Sequence, residues 1–153
     1  MLSQYDILLD RDVGTPQLIR TELREGDYFM TSPNVVVAIM NELFKLDVLA
    51  EECCYMIALN TKSCILGICL VSKGNVSSTM MGPREIYLRA LLLGASFIIL
   101  VHNHPSGSSE PSSADLISTK KVVEVGDLVG IPVTDHIIIG RSQWCSMKEK
   151  ELL

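Results

Sequence analysis

Apolar and polar positions run in two rhythms along this chain, and the switches between them mark its elements. Up to about residue 30 no period is clear, and a partly extended N-terminal arm is expected over 1–30. From Thr31 the signals sharpen. Thr31 or Ser32 can cap a helix, Pro33 suits the first turn because no partner is needed there for its missing N–H, and NVVVAIMNELFKL follows, predicting a helix over about 33–47. CCYMIAL at 53–59 and CILGICLVS at 64–72 flank the polar stretch Asn60–Ser63 and predict a β-hairpin. A third extended piece is expected after the Lys73-Gly74-Asn75 turn, before Pro83 opens a second helix, PREIYLRALLLG, which Gly94 ends.

SFIILVH at 96–102 is short, apolar on both faces and rich in β-branched residues, the pattern of a buried strand with His102 at its C-terminal end. A loop rich in Pro, Ser and Gly follows, then a third helix over about 113–129 that stops at Gly130. The strand IPVTDHIIIG and a short hairpin partner around Trp144 close the chain. Three helices interleaved with these strands predict the α/β class. No repeat, low-complexity segment or linker divides residues 31–153.

Composition narrows the function classes. The 153 residues are 48% hydrophobic and 20% charged, enough for a single domain with a real core that needs no disulfide staples. The five cysteines are odd in number and show no C-x-x-C spacing; four lie in apolar stretches, where cysteine packs as a small core residue, and a reducing, cytoplasmic setting fits them. The N-terminus is acidic where a signal peptide would be basic, and the longest apolar run, ALLLGASFIILV, is too short to span a bilayer, so no membrane association is expected. A net charge of −5 argues against a broad electrostatic grip on nucleic acid.

The candidate chemistry lies in HNHPSGSSEPSSAD at 102–115. In extended backbone, residues two apart point to one side, so His102 and His104 present their imidazoles together. With Asp115 at the start of the next helix they make a three-ligand set for Zn2+, leaving one coordination position for water. Simpler readings compete. Ser112-x-x-Asp115 is also an N-terminal capping box, and an H-x-H pair can be no more than hydrogen-bonded histidines. His136, the remaining histidine, could replace Asp115 as third ligand or serve as a structural group.

The spacing H-x-H-P-x6-S-x2-D, met by His102, His104, Pro105, Ser112 and Asp115, resembles the JAMM signature of MPN/JAB-domain metallopeptidases. HNHPSG, together with LVSKGNVSSTMMGPREIY before it and GIPVTDHIIIG after it, resembles the RadC-like subfamily over about residues 31–150. The resemblance implies an MPN/JAB, cytidine-deaminase-like fold: a mixed sheet with flanking helices and zinc at the end of a central strand. It also implies a glutamate on an early strand acting as base beside the metal. Glu52 occupies the matching place, with Glu51 and Glu85 as rivals. Ser112 matches the family serine that supports the tetrahedral oxyanion.

The activity so implied is zinc-dependent cleavage of a peptide or isopeptide bond, on a peptide or protein substrate that the residues do not name. Two other readings remain open. A non-catalytic RadC-like DNA-repair or interaction module would carry a structural metal in closed coordination. A zinc deaminase fits less well, because H-x-E with a later P-C-x-x-C is missing. DNA association is implied by the family resemblance only; the helix-hairpin-helix module common in RadC-like proteins has no counterpart in residues 1–30. The pattern leaves oligomeric state open.

Overall fold

In the computed structural model, which describes residues 1–74 and 81–153, seven strands form one mixed sheet flanked by three helices. In chain order these are β1 (Leu2–Leu9), β2 (Pro16–Arg24), α1 (Pro33–Phe44), β3 (Cys53–Leu59), β4 (Ile65–Lys73), α2 (Pro83–Leu92), β5 (Phe97–Asn103), α3 (Ser113–Val129), β6 (Val133–Ile139) and β7 (Trp144–Ser146). The sheet order is β2-β1-β4-β3-β5-β6-β7. β1 pairs parallel to β4 and β5 parallel to β6; the remaining neighbours are antiparallel. This is the α/β architecture expected of a JAB domain.

The alternation within the central strands sorts the core into two layers. In β3, Cys53, Tyr55, Ile57 and Leu59 face one layer with Val36 and Met40 of α1, while Cys54, Met56 and Ala58 face the other with α2 and α3. β5 splits in the same way, with Ile99 and Val101 on the α1 side and Ile98 and Leu100 on the other. A strand buried on both faces must be apolar at every position, which is why CCYMIAL shows no polar alternation. Four of the five cysteines are buried and the fifth, Cys64, is partly so; none forms a disulfide, and burial pushes the Cys69 thiol up to about 12.

Two expectations need amendment, and a third is not tested. The first thirty residues are more than an arm: β1 and β2 form a hairpin, and β1 joins the sheet beside β4. Helix α1 ends at Phe44, short of 47, because Lys45 adopts a left-handed conformation (φ 53°) and donates its N–H to the Asn41 carbonyl. The third extended piece falls on 75–80, outside the described residues. The hairpin of β3 and β4 forms as the pattern indicates, its turn held by Asn60 Oδ1, which accepts from the N–H groups of Lys62 and Cys64. Among the described residues no helix is long and apolar enough to cross a membrane.

Candidate metal centre

The site forms where β5 ends and α3 begins. β5 delivers His102 on the α2/α3 side of the sheet, and the loop after it returns to α3, whose first turn is locked by a reciprocal cap. Ser112 Oγ accepts from the Asp115 N–H at 3.1 Å, while Asp115 Oδ2 accepts from the Ser112 N–H and hydroxyl, each at 2.7 Å. Capping and metal-ligand geometry therefore coexist: the cap holds the carboxylate still, and its second oxygen, Oδ1, stands 3.4 Å from His102 Nε2. His104 Nε2 lies 3.3 Å from Asp115 Oδ2 and 2.9 Å from His102 Nε2.

Those three separations are the test of fit. Bonds of roughly 2.0–2.2 Å to a tetrahedral ion place neighbouring donor atoms about 3.3–3.5 Å apart. The separations of 2.9, 3.3 and 3.4 Å lie at or a little below that edge, so the two imidazole nitrogens and the carboxylate can share one ion. Glu52 completes the group: donor atoms of Glu52, His102, His104 and Asp115 all lie within 4.8 Å of one another. Its Oε1 is 3.9 Å from His102 Nε2, outside the tight triangle of the other three.

The rival glutamates lie elsewhere. Glu51 turns the other way and pairs with Lys73 at 2.9 Å, as residue-by-residue alternation requires. Glu85 sits in the first turn of α2 against Arg84. His136 stands one layer behind the cluster, its Nε2 2.7 Å from His102 Nδ1 and its Nδ1 2.6 Å from the Thr119 hydroxyl oxygen. It does not take the place of Asp115.

The electrostatics follow from burial and proximity. Burial alone would raise the Asp115 carboxyl, but hydrogen bonds with His102, His104 and Ser112 override it and hold the group far below the usual carboxylate range. The same contact with Asp115 raises His104. Glu52 is raised, chiefly by burial and against the pull of the two nearby imidazoles. His136, wholly buried, is pushed well down, which keeps it neutral. The site thus joins a firmly ionised candidate ligand to a neighbouring carboxylate with heightened proton affinity.

Three groups support the cluster through contacts that spacing and motif do not show, among them Asn103, which the sequence suggests only as a residue shaping the loop. Asn103 is fully buried; its Oδ1 accepts from the Cys53 N–H at 2.8 Å and its Nδ2 donates to the Glu51 carbonyl at 3.1 Å. It therefore grips the backbone on both sides of Glu52. His104 Nδ1 meets the Ser108 carbonyl at 3.1 Å, and Thr119 lies one helical turn after Asp115, on the same face of α3. The i, i+4 spacing of Asp115 and Thr119 was readable, but its target, His136, lies on another strand.

An open cleft of about 470 Å³ runs beside the cluster, lined by Glu52, His104, Pro105, Ser112 and Asp115 among others. A second, of about 400 Å³, shares Glu52 and Pro105 with it, so the clefts adjoin at the glutamate. The cavity of about 440 Å³ beneath the start of α1 contains none of the four clustered residues.

The family model described as "RadC-like JAB domain" matches residues 30–152. A UPF0758 protein of Finegoldia magna is 43% identical over 150 residues, covering 97% of this chain and 65% of the relative. UPF0758 proteins of Caldanaerobacter subterraneus and Clostridium acetobutylicum are 41% and 42% identical, covering 82% and 81% of this chain and 54% and 53% of those relatives. The chain thus spans between about half and two thirds of the length of these relatives.

Proposed function

Because the chain belongs to the RadC-like JAB-domain family, we propose that it is a zinc-dependent hydrolase that cleaves an amide, either a peptide or an isopeptide bond. The observation that carries this reading is the convergence of Glu52, His102, His104 and Asp115 within 4.8 Å at an open cleft. Two imidazoles and one carboxylate suit zinc and leave one position open. A zinc ion held by His102, His104 and Asp115 would supply Lewis-acid chemistry, polarising a carbonyl and lowering the pKa of a water towards neutral.

The remaining chemistry falls to this chain's own side chains. Glu52 takes a proton as the water oxygen bonds to the carbonyl carbon. It then gives that proton to the departing nitrogen as the C–N bond breaks. Its raised proton affinity suits both halves of this transfer. Asp115 stays ionised throughout, held by its cap. Ser112 lines the cleft, and its hydroxyl, resting on Asp115 Oδ2, turns to donate to the carbonyl oxygen as that oxygen gains charge.

A structural metal in a non-catalytic interaction module is the second reading, because Glu52 belongs to the same 4.8 Å group and could close the coordination. Its 3.9 Å separation from His102 Nε2 and its place on the cleft wall favour the base. Metal analysis of the purified protein, with His104→Ala as control, is expected to find one zinc per chain, lost in the variant. A panel of isopeptide- and peptide-linked substrates then tests hydrolysis. Glu52→Gln should keep the zinc and lower turnover by a factor on the order of 100 to 10,000. Loss of zinc from Glu52→Gln would identify a fourth ligand instead and favour the structural metal.

A further inference from the structure

We propose that His136 is a positioning residue for the metal centre, holding His102 in the one tautomer that aims its Nε2 lone pair at the ion. This rests on the metal-binding reading above and assigns a role to a residue that is not itself a ligand. The side chain of His102 is only 3% exposed, so water does not satisfy its second nitrogen. That nitrogen, Nδ1, faces His136 Nε2 at 2.7 Å.

The direction of the hydrogen bonds follows from ligation. If His102 Nε2 offers its lone pair to a metal, the ring proton is on Nδ1 and is donated to His136 Nε2. A neutral imidazole has one donor nitrogen and one acceptor nitrogen, so His136 must carry its own proton on Nδ1. That proton points at Thr119 Oγ1, 2.6 Å away, which accepts it. The threonine hydroxyl is then left to donate to Met147 Sδ at 3.8 Å. Every member has a partner, and all protons run outward from the ligand.

The two histidine ligands differ in how they are supported. His104 Nδ1 meets the Ser108 carbonyl, a group that can only accept, so its tautomer follows from the backbone alone. His136 can donate or accept, so it supports ligation only while Thr119 takes its Nδ1 proton. Thr119 and Asp115 share a face of α3, while His136 faces the same core layer from β6, in register with Leu100 on the adjacent parallel strand β5. One helix thus provides a ligand and also anchors the support of another. Polar partners behind metal-ligating histidines typically change affinity by roughly 10–100-fold when removed.

The experiment compares zinc affinity, by competition with a chelating dye, in the wild type, His136→Leu, His136→Gln and Thr119→Val. Removing the acceptor in His136→Leu should weaken zinc binding by roughly 10–100-fold. His136→Gln, which can place a carboxamide oxygen near the lost nitrogen, should recover most of it. Thr119→Val should fall between them. Long-range 1H–15N spectra of the zinc-loaded wild type should show His102 protonated on Nδ1 and ligated through Nε2, and this holds the inference to account even if a variant fails to fold. The inference is overturned if His136→Leu binds zinc within twofold of the wild type, if glutamine restores nothing, or if His102 Nδ1 carries no proton in the loaded protein. A wild type that binds no zinc removes the metal-binding reading as well. Intact wild-type binding with an indifferent His136→Leu removes only this role.

Discussion

Asn103 ties the strand of the histidines to the segment of the glutamate, and replacing it by leucine makes the clearest quantitative case. The side chain is fully buried and serves one donor and one acceptor, the Cys53 N–H at 2.8 Å and the Glu51 carbonyl at 3.1 Å. Leucine is similar in size and satisfies neither. Leaving the buried Cys53 N–H without a partner costs about 1–3 kcal/mol and losing the half-buried Glu51 contact about 1 kcal/mol more, so Asn103→Leu should destabilise the metal-free chain by about 2–4 kcal/mol. With a urea dependence of about 2 kcal/mol per molar, the unfolding midpoint should fall by roughly 1–2 M. Amide exchange supplies a local check, since the Cys53 N–H should lose protection beyond what the global change explains. Turnover on any amide substrate found should fall further than zinc affinity, because a displacement of about 1 Å at Glu52 can cost on the order of 100-fold. An unchanged midpoint, with Cys53 still protected, would refute the clamp.

The remaining expectations concern the cap, the metal, pH and one glycine. Ser112→Ala removes the cap acceptor for the Asp115 N–H and should cost about 0.5–2 kcal/mol by thermal or urea unfolding; a loss of turnover per folded molecule beyond the accompanying change in metal content would support its oxyanion role. Stripping zinc with a chelator should lower the melting temperature, since an ion present at about 1,000 times its Kd stabilises by roughly 4 kcal/mol. Contact with Asp115 raises His104 above its ordinary 6.5, so the metal-free ring keeps its proton to higher pH and zinc must displace it. Affinity should therefore rise with pH through the neutral range, with proton uptake by buffer visible in calorimetry; binding independent of pH between about 6 and 8 would contradict this. Gly126→Ala puts a methyl group against the Tyr87 hydroxyl and the Ile131 carbonyl, and the forced shift of α3 from α2 should cost about 1–3 kcal/mol in an unfolding titration.

Much of the site was legible because its geometry is local. His102 and His104 share a side by strand periodicity, and Ser112 and Asp115 share a turn by helix capping, so four residues could be named from spacing and motif. The apolar pattern of SFIILVH on both faces likewise marked a buried strand, while CCYMIAL showed only as one arm of a hairpin and its burial on both faces came from the sheet. The first strands were missed because β2 is largely exposed and β1 only partly buried, so neither carries the apolar pattern that announces a strand. The resemblance pointed to Glu52, and the β3–β5 register, in which Cys54 stands opposite His102, gives the reason its side chain rather than that of Glu51 faces the cluster.

The layer behind the ligands depended most on tertiary structure. Asn103 reaches across to β3, and His136 reaches from β6 to a ligand on β5 and to Thr119 on α3. Periodicity tells which way a side chain points, whereas hydrogen bonds between residues distant in sequence depend on which strands become neighbours. That order is settled when the two apolar layers are buried together, and no single segment contains it.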